Sequence, residues 1–167
     1  APAGLIKESC SMERIASFTV DHNVLAPGLY LSRRDGNVVT FDLRFKKPNT
    51  GDLLTNAEMH SVEHVIATLL RNSPRKDAVV YFGPMGCQTG FYFLFDGAQL
   101  SESEAVALVQ QVFARGAAYD GEMPGKSAAE CGNYRNLDVA LARACCRYYA
   151  EVIADWNVEK LVYPTGK

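Results

Sequence analysis

No stretch of this 167-residue chain approaches the roughly 18 consecutive apolar residues that a membrane helix needs, which argues against a span. An excess of positive charge is also missing. Lys and Arg total 17 against 19 Asp and Glu, a net charge of −2, so the chain carries no basic footprint for nucleic acid. A disulfide framework is absent too. The five cysteines (Cys10, Cys87, Cys131, Cys145 and Cys146) are odd in number and irregularly spaced, which favours a reducing, cytoplasmic setting. The opening Ala1-Pro-Ala-Gly-Leu-Ile-Lys-Glu-Ser lacks the basic start and apolar stretch of a signal peptide. Residues 1–11 read as an N-terminal extension or expression remnant ahead of a natural start at Met12. There is no internal repeat, low-complexity tract or linker to a second domain. Residues 12–167 therefore read as a single domain, long enough to bury a core.

What is present is an alternation of strand and helix signals. Ser17–Asp21 and Asn37–Phe45 alternate in polarity and read as strands, with Asp35-Gly36 as the hairpin turn before the second. Thr55 or Asn56 caps a helix that runs to about Asn72, ahead of Ser73-Pro74. Ala78–Phe82 and Gly90–Phe95 read as strands flanking the tight loop Gly83–Gly90, with Phe91, Tyr92, Phe93 and Phe95 filling the core and the opposite sheet face. Ser101-Glu-Ser-Glu104 is a capping box opening a helix to about Tyr119. A last helix spans Asn136 to Trp156, with Leu137, Leu141, Tyr148 and Val152 as its apolar positions. Strand pairs joined by short turns favour an antiparallel sheet. The expected class is α+β, a mostly antiparallel sheet packed against helices as an α/β sandwich, with a metal site on one helix.

The first long helix carries that site. His60 and His64 are four apart and point the same way from consecutive turns, so both imidazoles can grip one ion. Glu63 lies between them, able to reach the open side of the metal without being a ligand. Two histidines, a third donor and a water make a catalytic metal site, whereas a structural site is closed by four protein ligands. The third donor is to be sought among Cys131, His22, Asp21, Glu130 and Cys87. Cys131 is a soft ligand, and Gly132 after it allows a close turn around the metal. Cys87 sits in a glycine-rich loop that places its thiol beside a cavity, where a thiolate suits proton transfer or nucleophilic attack. The ordinary readings are packing for a helical histidine pair, a small buried hydrophobe for Cys87, a capping or hydrogen-bonded histidine for His22 and an exposed strand-end charge for Arg44. Cys145 and Cys146 read as structural.

Several segments, in this order, resemble the S-ribosylhomocysteine lyase (LuxS) family. They are Ser17-Phe18-x-x-Asp21-His22, Phe41-Asp42-Leu43-Arg44-Phe45 with Pro48-Asn49, His60-x-x-Glu63-His64, Pro84-Met-Gly-Cys87-Gln-Thr-Gly90 and Cys131-Gly132. The short histidine–glutamate string alone is weak, but five ordered blocks from Ser17 to about Trp156 are specific. The resemblance implies a metal held by His60, His64 and Cys131 with a water. The ion it implies is Fe²⁺, with Zn²⁺ or Co²⁺ able to substitute. It implies S-ribosylhomocysteine as substrate, with homocysteine and 4,5-dihydroxy-2,3-pentanedione, the precursor of autoinducer-2, as products. Cys87 and Glu63 become the two catalytic bases for successive carbonyl shifts and a final elimination. Ser17, His22 and Arg44 become ribose-end residues, Phe18 a wall, and Arg71 the contact for the homocysteine carboxylate. A homodimer with sites at its interface is also implied. Two positions depart from the family pattern: Tyr81 stands where an Asp often holds the homocysteine amino group, and Lys46 where some members have Cys.

Three other readings compete. Inverted-motif zinc peptidases share the histidine–glutamate string, but they are longer and take a carboxylate as third ligand. A deformylase-like hydrolase places its Cys before the helix and its Glu elsewhere. A structural metal module would recruit Cys87 as a fourth ligand.

Overall fold

The computed structural model describes residues 12–166. The extension expected at residues 1–11, with Cys10, lies outside the described residues.

Four strands form one antiparallel sheet in the order β1-β2-β4-β3. They are β1 (Gly28–Asp35), β2 (Val38–Arg44), β3 (Val79–Pro84) and β4 (Gly90–Asp96). Asp35 pairs with Val38 across the β1–β2 turn. Gly36 there adopts φ 59°, the left-handed conformation that a two-residue hairpin favours. The hairpin turn thus falls where its Asp-Gly signal put it, but the first strand does not. Ser17–Asp21 forms no strand; Ala16–Phe18 is a 3₁₀ turn. Local bonds hold it, with the Thr19 hydroxyl donating to the Ala16 carbonyl and Asp21 accepting from the Asn23 backbone N–H. Such side-chain-to-backbone bonds compete with ladder pairing, and Phe18 stays 64% exposed, so burial offers the segment nothing in return.

Period-2 alternation gives the sheet two unlike faces. Phe41 and Leu43 of β2, and Phe91, Phe93 and Phe95 of β4, are fully buried in the core. Thr40, Asp42 and Arg44 point to the other face yet are also buried. Three helices cover the apolar face: α1 (Asn56–Arg71), α2 (Glu102–Ala117) and α3 (Val139–Val152). Thr55 and Glu58 make a capping box on α1, and Ser101 and Glu104 make one on α2. The fold is the α+β class anticipated from the turn and strand pattern.

The last helix is shorter than its periodicity suggested. Asp138 accepts from the Ala140 N–H and sets the start at Val139, leaving Leu137 buried but outside the helix. The inward face is Ala142, Cys145, Cys146 and Tyr149, while Tyr148 is 41% exposed. Tyr149 stacks on Phe45 at 4.2 Å between ring centroids. That contact fixes the rotation of the helix and turns Leu141, Tyr148 and Val152 to its flanks.

Candidate metal centre and thiol cleft

Helix α1 carries His60 and His64 one turn apart, and their rings stand at 90° with centroids 4.6 Å apart. The loop after α2 brings Cys131 to them. The ligand atoms of His60, His64 and Cys131 all lie within 4.8 Å of one another, with Cys131 Sγ 3.3 Å from His60 Nε2. The other nitrogen of each ring is already committed. His60 Nδ1 lies 2.6 Å from Asn136 Oδ1, and His64 Nδ1 lies 2.8 Å from the Pro124 carbonyl oxygen. Both partners are acceptors, so both Nδ1 atoms donate and both Nε2 lone pairs are left for a cation. Metal-binding histidines are commonly held this way, the far ring nitrogen donating to a fixed acceptor that orients the ring. Two imidazoles and a thiol suit a borderline divalent ion, and three protein ligands leave a coordination position free for substrate.

The loop approaches because of a glycine, but not the expected one. A Cβ at Gly132 would meet nothing within 4 Å, and Gly132 has no left-handed φ. Gly125 does: its φ is 70°, and a Cβ there would lie 2.9 Å from His64 Nδ1. The turn that closes the site is therefore at Pro124-Gly125, beside His64. Glu63 lines a shallow cleft with His64, Pro124 and Gly125.

Cys87 occupies a second cleft with His22, Pro48, Asn49, Gly51, Leu53 and Thr89. Its thiol is exposed, in the β3–β4 loop, where Gln88 holds φ 63°. Leu54 N–H donates to the Gln88 carbonyl and Gln88 Nε2 to the Leu54 carbonyl, which staples this loop to the segment leading into α1. His22 Nδ1 lies 2.9 Å from the Val20 carbonyl. Arg44 is not the exposed strand-end charge of the ordinary reading. It is 3% exposed and grips Asp42 through Nε and Nη2. Burial alone would lower its pKa, but the Asp42 charge and hydrogen bonds outweigh that and raise it. Arg44 Nη1 donates to Thr89 Oγ1 at 2.8 Å and lies 3.9 Å from Cys87 Sγ.

The remaining sequence candidates are dispersed within one chain. Ser17 lines a third cleft with Ser32, Arg33, Asp35, Thr40, Tyr92 and Leu94. Phe18 is solvent-facing. Arg71 donates Nη1 and Nη2 to the carbonyls of Val79 and Val80, so it ties the end of α1 to β3, and any carboxylate contact competes with that role. Tyr81 is half exposed, its ring lying over Gly83. Lys46 bonds Asp52 and lies over the Tyr148 ring. Cys145 and Cys146 are structural, as expected. Burial pushes their thiols up to about 11 and about 12.

Sequence reasoning passed over Asn136, Thr89 and Asp42. Asn136 gives no local signal, since only the fold brings it to His60. Thr89 and Asp42 sit inside the recognised motifs, yet their distant partners, Arg44 for Thr89 and Tyr163 for Asp42, are brought to them only by the fold.

Comparison with known proteins places this arrangement. The family model S-Ribosylhomocysteinase (LuxS) matches residues 15–160. A protein of Desulfotalea psychrophila named S-ribosylhomocysteine lyase is 46% identical over 160 residues, covering 92% of this chain and 100% of its own. Proteins of the same name from Finegoldia magna and Clostridium beijerinckii are 44% and 42% identical, each over 92% of this chain and 99% of their own.

Proposed function

The chain belongs to the S-ribosylhomocysteinase (LuxS) family and is a carbon–sulfur lyase; from that premise we propose that it cleaves S-ribosylhomocysteine to homocysteine and 4,5-dihydroxy-2,3-pentanedione. The observation that carries the reading is the His60, His64 and Cys131 set, with ligand atoms within 4.8 Å and both Nδ1 atoms engaged elsewhere. A thiol stands where a zinc peptidase would have its third carboxylate. Cys87 bonds Thr89 rather than joining the set, which speaks against a closed structural site.

His60, His64 and Cys131 would hold one divalent ion, Fe²⁺ by resemblance, with Zn²⁺ or Co²⁺ as substitutes. Such an ion supplies Lewis acidity to the oxygens of the opened sugar. The thioether sulfur sits on C5 and leaves only when a carbonyl stands at C3, so the carbonyl must move from C1 to C3. Cys87, as thiolate, takes the C2 proton and returns it at C1. Glu63 then carries the later transfers and removes the C4 proton, which expels homocysteine thiolate from C5. Each group works by positioned proton transfer. Its exposure and the adjoining cleft suit Cys87 to meet a sugar carbon, and Glu63 stands beside His64 on the same helix. His22 and Arg44 line the ribose end with Cys87, joined by Ser17 and Phe18. Arg71, at the end of α1, takes the homocysteine carboxylate only by giving up its bonds to the Val79 and Val80 carbonyls.

The working unit is a homodimer. Its support is that Cys87 and Glu63 face separate clefts in one chain, with Ser17 in a third, so a second copy is needed to gather them. The protein acts in the cytoplasm, where the dione feeds autoinducer-2 synthesis and homocysteine re-enters methyl-donor recycling. Among the described residues no helix is long and apolar enough to cross a membrane.

The deciding experiment follows free homocysteine with a thiol reagent, using protein loaded with Co²⁺ or, anaerobically, with Fe²⁺. Metal-dependent release, abolished in Cys87→Ala with metal retained, is the expected result. No release from folded, metal-loaded protein would refute the substrate assignment.

A further inference from the structure

The polar face of the sheet holds a connected set of groups that ends on the Cys87 sulfur. We propose that Tyr163, Asp42 and Thr89 are positioning residues for Cys87: Tyr163 and Asp42 fix the Arg44 guanidinium, Arg44 fixes the Thr89 hydroxyl, and Thr89 directs its proton at the sulfur. The proposal rests on the reading of Cys87 as a catalytic base.

The links are short. Arg44 Nε lies 3.1 Å from Asp42 Oδ1 and Nη2 lies 2.6 Å from Oδ2. A guanidinium is planar and rigid, so a bidentate grip on one edge fixes the direction of the remaining nitrogen. That nitrogen, Nη1, donates to Thr89 Oγ1 at 2.8 Å. Arginine has no acceptor, so the Thr89 hydroxyl receives this bond and keeps its own proton free. Cys87 Sγ is 3.1 Å from Thr89 Oγ1. In the proposed mechanism the sulfur is a thiolate, which can only accept, so Thr89 is then the donor. Arg44 Nη1, at 3.9 Å from the same sulfur, adds a positive charge from the side.

The outer end of the set comes from the C-terminal segment, beyond the residues that the family model matches. Tyr163 donates its hydroxyl to Asp42 Oδ2 at 2.7 Å, and its ring stacks on Tyr30 at 5.1 Å between centroids. Burial and the Asp42 charge push this phenol well above its ordinary value, so it stays a donor at working pH. Asp42 and Thr89 are 1% and 3% exposed, so water does not stand in for the lost partner when one is removed.

A buried counter-ion for Arg44 could be structural alone, and the test separates the two roles. Metal-loaded full-length Thr89→Val, Thr89→Ser and Tyr163→Phe proteins are compared with the unsubstituted chain. Two quantities are read: the rate at which iodoacetamide alkylates Cys87, followed by the mass of its peptide, and kcat and KM for thiol release. In Thr89→Val, alkylation at neutral pH slows about tenfold and kcat falls about tenfold or more, the size of a lost hydrogen bond to a charged group. KM and metal content stay essentially unchanged. Thr89→Ser restores both rates. Tyr163→Phe, which keeps the stacked ring, lowers both by a smaller factor. Unchanged alkylation in Thr89→Val and Tyr163→Phe overturns the proposal whatever the lyase rate. If the unsubstituted chain releases no homocysteine while the alkylation pattern holds, the catalytic reading fails and the positioning stands.

Discussion

At the scale of single residues, the outer partners Asn136 and Pro124 orient the two histidine rings of the metal set. His60→Ala or Cys131→Ala is expected to lose metal and activity together. Asn136→Ala keeps all three ligands but frees the His60 ring to turn and to change tautomer. Its metal affinity is expected to fall about 10- to 100-fold, measured by competition with a chromogenic chelator. Unchanged affinity would mean that Asn136 merely lies against the ring. Glu63→Gln keeps metal and shape but cannot accept a proton. The expected outcome is accumulation of a ketose with little homocysteine release, seen by carbon-13 NMR of the reaction mixture. Undiminished turnover would remove Glu63 from the mechanism. The proposed roles divide by legibility. His60, Glu63, His64 and Cys87 announced themselves through residue type and spacing. Asn136 and Thr89 did not, because an amide or hydroxyl acquires a role only from what the fold sets opposite it.

At the scale of elements, α1 and α2 were readable because their starts are chemically marked, whereas α3 starts at Val139 rather than at Asn136. The capping box at Ser101 forms as its spacing predicts, and the cap expected at Thr55 or Asn56 falls on Thr55 as a full box with Glu58. Glu104 shows the linked pH effect. Its hydrogen bonds to Ser101, backbone N–H first, hold its pKa below the ordinary 4.5, with Arg75 adding to the effect. A folded-state pKa below the unfolded one means that the stabilisation is complete above the ordinary value. It is lost as pH falls through the folded value. Glu104→Gln keeps an acceptor but cannot titrate. The difference in melting temperature between it and the unsubstituted chain should therefore shrink as pH drops from 7 to about 3; a constant difference would show that the carboxylate charge contributes nothing to the cap. Where elements were misjudged, local bonding or packing had decided. Thr19 and Asp21 turn their own backbone, and Tyr149 stacked on Phe45 sets the rotation of α3.

At the scale of the molecule, the clefts of Cys87 and Glu63 are separate in one chain, and the dimer proposed here has to join them. Mixing two inactive variants, Cys87→Ala and His60→Ala, tests this directly. If one subunit supplies the thiol and the other the metal, subunit exchange rebuilds one complete site in each mixed dimer. Statistical mixing then restores about a quarter of the full thiol-release rate, since oligomers of this kind are commonly two-fold symmetric. No recovery after proven exchange would place Cys87 and the metal set in the same subunit.

The class of fold, the helix carrying His60 and His64, the thiol loop and, through five ordered blocks, the family are all legible in the chain itself. These properties are carried by spacing, turn chemistry and residue type, which are local. Tertiary structure alone decided that Asn136 and Pro124 orient the two rings, that Gly125 rather than Gly132 lets the loop close, that Arg44 is buried on Asp42, and that Arg71 is tied to β3. The ring partners lie 76 and 60 residues from their histidines, and the near pair Arg44–Asp42 owes its burial to what the fold packs over it, so these contacts depend on distances that no local pattern encodes.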